Sequence, residues 1–314
     1  MYVVLWAYVH TRLPASALGR FCAMLATVLV PVGNEIWMNM TNVQWPMALL
    51  IPLILFGKPP AVRWMWILDL LVLLLSCFTG PNVLVLLPTL LAFKWMQRGV
   101  PSGSMTRAQW AVVIGGAVLS AWSLYSYGDM QRTDGSFNMW TPGFVQAAFR
   151  QLWYPVLSVF VLQVPFLMQA AMLLVGIAVV VIMHLTAVRN KRSFTVLALL
   201  SAASFFVATM VLYRGEPGFL SPFDAGIRNF YLPTVFLAWA FCCLPILPDR
   251  KWVVVAAGFL IFWSFQTVTF IGPKQFTDHR WAEYAKLLEE GKGLEVPITP
   301  DGWSMLLHPK PAER

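Results

Sequence analysis

Residues 62–97 read VRWMWILDLLVLLLSCFTGPNVLVLLPTLLAFKWMQ, two apolar runs that meet at Gly80-Pro81. Glycine and proline interrupt periodic structure, so the sequence predicts helices over about 62–80 and 81–97 joined by a turn at this point. Each run approaches the roughly 20 apolar residues that cross a bilayer core. This stretch therefore predicts a helical hairpin in a membrane.

Two of the three charges in this stretch, Asp69 and Lys94, are predicted to meet. Asp69 lies eleven residues before Gly80, which places it near the level of Lys94 on the returning helix. A carboxylate at membrane depth is costly unless it is paired. We expect a structural ion pair between Asp69 and Lys94 near the cytoplasmic edge, rather than a proton relay.

The composition of the whole chain indicates the same class of protein. Of 314 residues, 59% are hydrophobic and only 11% are charged, with a mean hydropathy of +0.68. Soluble domains carry about 25% charged residues. Seven more apolar runs are candidate spans: about 15–32, 43–57, 108–128, 165–187, 194–213, 230–247 and 252–271. The prediction is an all-α integral membrane protein with about nine transmembrane helices over residues 1–272.

The basic residues indicate orientation rather than nucleic-acid binding. The net charge is +8, but Lys and Arg occur in small groups at the ends of apolar runs and form no basic, aromatic-lined patch. One set of alternate connections holds twelve of them: Arg12, Arg20, Lys58, Arg63, Lys94, Arg98, Arg107, Arg189, Lys191, Arg192, Arg250 and Lys251. The other set holds four before the tail: Arg132, Arg150, Arg214 and Arg228. The richer set is predicted to be cytoplasmic.

Every long polar stretch then faces the opposite side. These stretches are the Glu35 loop, residues 129–163, residues 214–229 and the tail from 273 to 314. Within the second, the apolar run 143–164 must begin and end outside, which favours a helix in the outer interface. Two further short spans are the alternative.

The tail is the soluble-looking part of the sequence. Trp281, Tyr284, Ala285 and Leu288 follow helical spacing, with Thr277 or Asp278 as a cap and Gly291 as a stop. Two short extended pieces then flank a turn at residues 300–302. About forty residues cannot carry a core alone, so the tail is expected to pack on the outer loops as a lid through Trp281 and Trp303.

Two further features are predicted to be structural. The apolar run 1–9 is short for a span and is followed by His10 and Arg12; we interpret it as the remainder of a longer helix, with an interfacial segment as the alternative. The four cysteines all lie in apolar runs, which favours packing over a disulfide or zinc site. They are Cys22, Cys77, Cys242 and Cys243.

No common motif for nucleotide or metal binding is present, and we expect neither a metal nor a cofactor. The candidate catalytic residue is Glu35, the only acid in the first outer loop, as a general base for an acceptor hydroxyl. A solvated loop acid is the alternative. Asn42 and Gln44 are placed to orient sugar hydroxyls or to cap the next helix.

A second group of outer residues is suited to phosphate. Arg228 lies four residues after Asp224 and two before the apolar run that begins at Phe230. Its guanidinium at headgroup height can hold a phosphate bidentately, with Tyr231 and a helix terminus completing the cradle. Arg214 ends the preceding span on the same side. Ordinary interface anchors are the alternative for both arginines.

Four sequence pieces carry a resemblance to a known family. They are GNEIWMNMTNVQWPMAL (33–49), TGPNVLVLLPTLL (79–91), GIRNFYLP (226–233) and VPITPDGWSML (296–306). In this order they resemble a family of bacterial multi-spanning proteins that is itself similar to the GT-C glycosyltransferases. The resemblance covers roughly residues 20–307 and depends on the four pieces as a set.

The resemblance implies transfer of a sugar from a polyprenyl-phosphate carrier to an acceptor at the outer face of the bacterial inner membrane. Two departures stand out. The essential GT-C acid belongs to a first outer loop that precedes residue 1, so Glu35 is not that residue, and the chain is catalytically incomplete if that loop is missing. In the family an aromatic residue follows the arginine, whereas Asn229 follows Arg228 here.

A transporter or flippase of lipid-linked glycans is the alternative function, followed by an O-antigen polymerase-like protein. A transporter is expected to show related halves and polar residues on broken helices at mid-bilayer. The sequence shows no repeat, and Asp69 is the only such polar residue. This favours the enzyme, with membrane lipid and a polyprenyl-phosphate-linked sugar as partners.

Overall fold

The computed structural model describes most of the first third of the chain and parts of the remainder. The described residues are 1–29, 43–62, 64–97, 107–128, 194–212, 231–243, 281–290, 294–298 and 303–307. The chain divides into two compact units, Met1–Phe270 and Ile271–Arg314. The described residues are mostly helical, as the sequence predicts.

Nine helices are described in the first unit. They are α1 (Tyr2–Arg12), α2 (Ala17–Leu29), α3 (Gln44–Ala48), α4 (Leu50–Phe56), α5 (Met65–Phe78), α6 (Asn82–Met96), α7 (Arg107–Gly128), α8 (Phe194–Leu212) and α9 (Tyr231–Cys242). Seven of the predicted spans contain at least one of these helices. The predicted spans 165–187 and 252–271 and the interfacial run 143–164 lie outside the described residues.

Helix length separates α7 from its neighbours. Among the described helices, Arg107–Ser126 alone is long and apolar enough to cross a membrane by itself. Shorter apolar helices of 10–17 residues fill the other described spans, including Met65–Phe78 and Asn82–Met96. The length test therefore supports one span, and the count of nine stays a prediction.

The predicted span 43–57 contains one apolar helical segment, Gln44–Phe56, whose hydrogen-bond ladder is broken at Leu49 although the backbone angles of Leu49 stay helical. α3 ends at Ala48 and α4 begins at Leu50. Pro52 has no N–H to donate to the carbonyl of Ala48, and its ring crowds that carbonyl, so the ladder is interrupted at Leu49. Residues 46–55 are all buried.

This broken segment is surrounded by the other helices. α3 contacts α1, α5, α6 and α9, and α4 packs between α1 and α5. Further contacts link α1 to α2, α2 to α9, α9 to α8, α8 to α6, α6 to α7 and α7 to α5. The described helices thus form a ring around α3.

The polar side chains of α5 face inward, and the large side chains on its exposed face are all apolar. Its buried residues are Asp69, Val72, Leu73, Ser76 and Cys77. Its exposed large residues are Ile67, Leu68, Leu71, Leu74, Leu75 and Phe78. A helix on the surface of a soluble protein shows the reverse arrangement.

The neighbouring helices repeat this inversion. The buried polar residues include Asn82 and Thr89 on α6, Gln109 on α7, and Thr195 and Ser201 on α8. The exposed large residues of the same helices are Leu91, Trp95, Ile114, Val118, Leu119, Trp122, Leu124, Tyr125, Val207 and Val211. The described helices therefore bury polar groups inside this ring, while their outer surface is apolar.

The second unit contains the predicted helix and both predicted extended pieces. α10 (Trp281–Glu289) is followed by β1 (Leu294–Ile298) and β2 (Trp303–Leu307), which pair antiparallel with Val296 opposite Met305. The small sheet is an addition to the all-α prediction. The lid contacts predicted for Trp281 and Trp303 involve side chains outside the described part.

Candidate functional site

Hydrogen bonds bring one set of helix ends together in the first unit. The Tyr231 hydroxyl donates to the carbonyl of Thr27 at 3.0 Å, and Asn82 Nδ2 donates to the carbonyl of Gln44 at 3.1 Å. These contacts join the N-terminal ends of α3, α6 and α9 and the C-terminal end of α2. We call this the uncharged end, because none of its described residues is Lys, Arg, Asp or Glu.

We call the opposite end the charged end. The helices α1, α4 and α6 end there, and α2, α5 and α7 begin there. This end holds every Lys and Arg that the structure describes in the first unit: Arg12, Arg20, Lys58, Lys94 and Arg107. Asp69, one turn into α5, is the only acid described in this unit. The charge asymmetry of the sequence thus corresponds to two ends of a folded ring.

The direction of α7 follows from its burial. A Cβ on Gly116 would lie 2.7 Å from the Cβ of Cys77, one residue before α5 finishes. Gln109 and Val113, before this contact, are buried, whereas Trp122, after it, is 67% exposed. α7 therefore starts at the charged end and extends past the finish of α5.

A buried network of charges forms the centre of the charged end. Arg12 Nη2 donates to both oxygens of Asp69 at 2.8 Å, and the Tyr8 hydroxyl donates to Oδ1 at 2.9 Å. Arg12 and Asp69 are 2% and 1% exposed. Arg12 Nη1 also donates to the carbonyl of Lys58 at 3.0 Å. Hydrogen bonds thus tie α1 to α5 and to the segment after α4.

The partner predicted for Asp69 is wrong. The carboxylate pairs with Arg12 and not with Lys94. The predicted pair rests on the positions of residues along α5 and α6 only. In the structure, α1 packs beside α4, and the last turn of α1 reaches Asp69. Arg12, which the sequence analysis treated as a loop charge, is buried.

The backbone around Arg12 is also close-packed. The amide of Lys58 donates to the carbonyl of Arg12 at 2.7 Å. A Cβ on Gly57 would lie 2.8 Å from that carbonyl oxygen. Glycine is therefore required where the chain leaves α4 and passes α1.

Gln44 lies at the uncharged end, where the sequence analysis placed it near the site. Its carboxamide packs against Gly80, where any side chain would meet it. α3 has Val43 at its N-cap and no side-chain cap bond. Asn82, which sequence reasoning missed, is 6% exposed and bonds the Gln44 carbonyl. Its position right after Gly80-Pro81 was the available signal.

Tyr231 is fully buried, and its hydroxyl proton is bonded to Thr27. Trp239, two turns further along α9, donates to the carbonyl of Ala23 at 3.1 Å. A Cβ on Gly19 would lie 2.7 Å from the carbonyl oxygen of Cys242. α2 therefore presents small residues and main-chain carbonyls to α9, a packing typical of membrane helices. The role of Tyr231 in a phosphate cradle stays a prediction.

The remaining predicted site residues lie outside the described residues. They are Glu35, Asn42, Arg214, Asp224 and Arg228. Within the described ranges, no group of three or more His, Cys, Asp or Glu could hold a metal ion. The four cysteines are free and buried, which confirms their prediction as packing residues.

Comparisons with family models, curated proteins and solved structures give no match for this chain. The resemblance to the GT-C glycosyltransferases therefore stays a prediction.

Proposed function

We propose that the first unit is embedded in the bacterial inner membrane and binds a polyprenyl-phosphate-linked sugar at its uncharged end. The observation that carries the proposal is the arrangement of the ring, with polar residues inside, apolar residues outside and all described cations at one end. Water disfavours such a surface, since monomeric soluble proteins rarely expose large contiguous apolar patches. A bilayer favours it.

Orientation follows from the charged end. Cytoplasmic loops carry the excess of Lys and Arg, so this end faces the cytoplasm and the uncharged end faces outward. About nine spans, including 165–187 and 252–271, complete the proposed topology. The Glu35 loop and the Arg228 loop then emerge on the outward side, and the tail from 273 to 314 is extracytoplasmic.

The chemistry of the outward side suits a lipid-linked sugar. Among the described residues of the uncharged end none is charged, and Gln44 contributes a half-buried carboxamide beside the buried Asn82. Arg228 supplies the bidentate fork for the carrier phosphate, with Arg214 beside it and Asp224 orienting the guanidinium. The acceptor hydroxyl attacks the anomeric carbon and the polyprenyl phosphate leaves. Glu35 is the candidate base for the acceptor proton.

One observation favours the alternative of a transporter or flippase. Discontinuous helices buried in a bundle are common at transporter binding sites, and the hydrogen-bond ladder of α3–α4 is interrupted at Leu49, although the backbone there stays helical. However, the residues at this break are Ala48, Leu49 and Leu50, which offer no side chain to a polar substrate. The enzyme-like function remains the better supported of the two.

Binding of polyprenyl phosphate by the purified full-length protein tests the proposal. Arg228→Lys keeps the charge but loses the planar fork, so affinity falls by about tenfold or more, as for a lost charged hydrogen bond. Arg228→Ala loses at least as much, and Asp224→Asn loses less. The matched control is Arg132→Ala, another outward arginine, which leaves affinity unchanged. Unchanged affinity in both folded Arg228 variants contradicts the proposed phosphate site and favours the transporter.

A further inference from the structure

The face formed by α5, α6 and α7 has the features of a lipid-binding surface. We propose that it binds a phospholipid with an anionic headgroup, with acyl chains on the apolar stripe of α5 and the headgroup at the charged end. The inference rests on the proposed membrane location and adds a partner to it. The three helices contact one another, and each exposes large apolar side chains.

The stripe on α5 is apolar along its full length. Ile67, Leu71, Leu75 and Phe78 are 67%, 53%, 58% and 52% exposed, and they lie on one side of the helix. From Trp64 to Phe78 the stripe extends about 21 Å at ~1.5 Å per residue. Acyl chains that lie along a helix match a surface of this length and chemistry.

Aromatic residues border this face at both ends. Trp64 and Trp95, at the charged end, are 65% and 64% exposed. Trp122 and Tyr125 are exposed toward the other end of α7, and their rings lie 6.4 Å apart. Tyr125 is about 27 Å from Arg107 along the helix, close to the ~30 Å of a hydrocarbon core. Indole and phenol rings at this spacing are typical of the two interfaces of a bilayer.

Charge determines which headgroup suits the border at the charged end. Arg107 lies there at the exposed start of α7, and Lys94 lies directly before Trp95 on α6. Asp69 is turned inward and neutralised by Arg12, so the described part of this face exposes no carboxylate. A headgroup with a net negative charge complements these cations, whereas a zwitterionic headgroup gains less from them.

Spin labels on the stripe test whether lipid covers it. Leu71→Cys and Leu75→Cys can be labelled in the full-length protein, because the four native cysteines are buried. In phosphatidylcholine vesicles that contain phosphatidylglycerol, both labels are expected to collide freely with oxygen and rarely with a water-soluble nickel reagent. The control is Leu306→Cys, 61% exposed in the hairpin of the second unit, which favours the nickel reagent. High nickel accessibility on the stripe means water, low accessibility to both means a protein partner, and either result overturns the proposal.

Brominated lipids test the headgroup preference. A fluorophore at Leu68→Cys, near the charged end, is expected to be quenched more by brominated phosphatidylglycerol than by brominated phosphatidylcholine. Arg107→Gln reduces this preference about fivefold, since one cation near an anionic headgroup contributes about that much. The control Lys286→Gln, in the second unit, leaves it unchanged.

Equal quenching by the two lipids in the parent protein overturns the proposed preference. An Arg107→Gln variant that keeps the full preference contradicts the assignment to this face. Neither result depends on Arg228 or on polyprenyl phosphate, so failure here is distinguishable from failure of the proposed function.

Discussion

The two ends of the first unit are held together by different kinds of interaction. At the charged end, Arg12 and Asp69 are fully buried and held by at least four hydrogen bonds to side chains and backbone. At the uncharged end, the described contacts are single neutral hydrogen bonds such as Asn82 to Gln44. The first arrangement fixes which helices pack together, and the second joins helix ends through neutral groups.

The energetic difference between the two ends follows from desolvation. Removing one partner of a buried ion pair leaves a charge without compensation, at a cost of several kcal/mol. Removing a neutral hydrogen bond costs about 1 kcal/mol. Stability is therefore expected to depend on the charged end, and the three predictions that follow measure this difference.

The largest effect is expected at the Arg12–Asp69 pair. Arg12→Met and Asp69→Leu should each lower the free energy of unfolding by about 3 kcal/mol, because each leaves the charge of its partner buried and unpaired. The double variant replaces both charges by apolar side chains and should lose less than either single variant. Unfolding by denaturant in mixed micelles, followed by circular dichroism, measures all three.

The matched control for this cycle is Lys58→Met. Its side chain is exposed, and only its backbone joins the Arg12 network, so stability should change by less than about 0.5 kcal/mol. Additive losses in the double variant would show that Arg12 and Asp69 do not act as a pair.

An intermediate effect is expected where α5 and α7 approach each other. Gly116→Ala places a methyl group 2.7 Å from the Cβ of Cys77 and should cost about 2 kcal/mol through overpacking. Gly115→Ala meets nothing within 4 Å and should stabilise the helix by about 0.5 kcal/mol. The same unfolding measurement compares the two variants. Equal effects of the two alanines would contradict the close contact between Gly116 and Cys77 from which the direction of α7 is inferred.

The smallest effect is expected at the uncharged end. Asn82→Ala removes the donor to the Gln44 carbonyl and should cost about 1 kcal/mol, roughly a third of the Arg12 effect. Ser123→Ala, on the exposed part of α7, is the control and should be neutral. A loss at Asn82 as large as that at Arg12 contradicts the difference between the ends.

Local patterns in the sequence predicted much of the fold. The Gly80-Pro81 turn separates α5 from α6, and the spacing of Trp281, Tyr284 and Ala285 falls within α10. Both follow from rules that act over a few residues, namely breakers and helical periodicity. The span predicted over 43–57 contains Gln44–Phe56, in which Pro52 interrupts the hydrogen-bond ladder at Leu49 while the backbone stays helical.

Contacts between distant segments were not predictable in the same way. Asp69 and Arg12 are far apart in the chain, and neither spacing nor charge indicates that the Arg12 side chain at the end of α1 reaches α5. Of the candidate site, the described part holds Gln44 and Tyr231, whose roles stay predictions. The hydroxyl of Tyr231 is bonded to Thr27, a contact that no local pattern encodes.

The central claim is that the two ends of the ring face opposite sides of a membrane, and cysteine labelling in whole cells tests it most directly. In the chain, Glu35→Cys precedes the buried segment α3–α4 and Lys58→Cys follows it. With a membrane-impermeant maleimide, Glu35→Cys is expected to react in spheroplasts, whereas Lys58→Cys reacts only after the membrane is permeabilised. Reaction of Lys58→Cys in intact spheroplasts would contradict the orientation, and with it the site on the uncharged end.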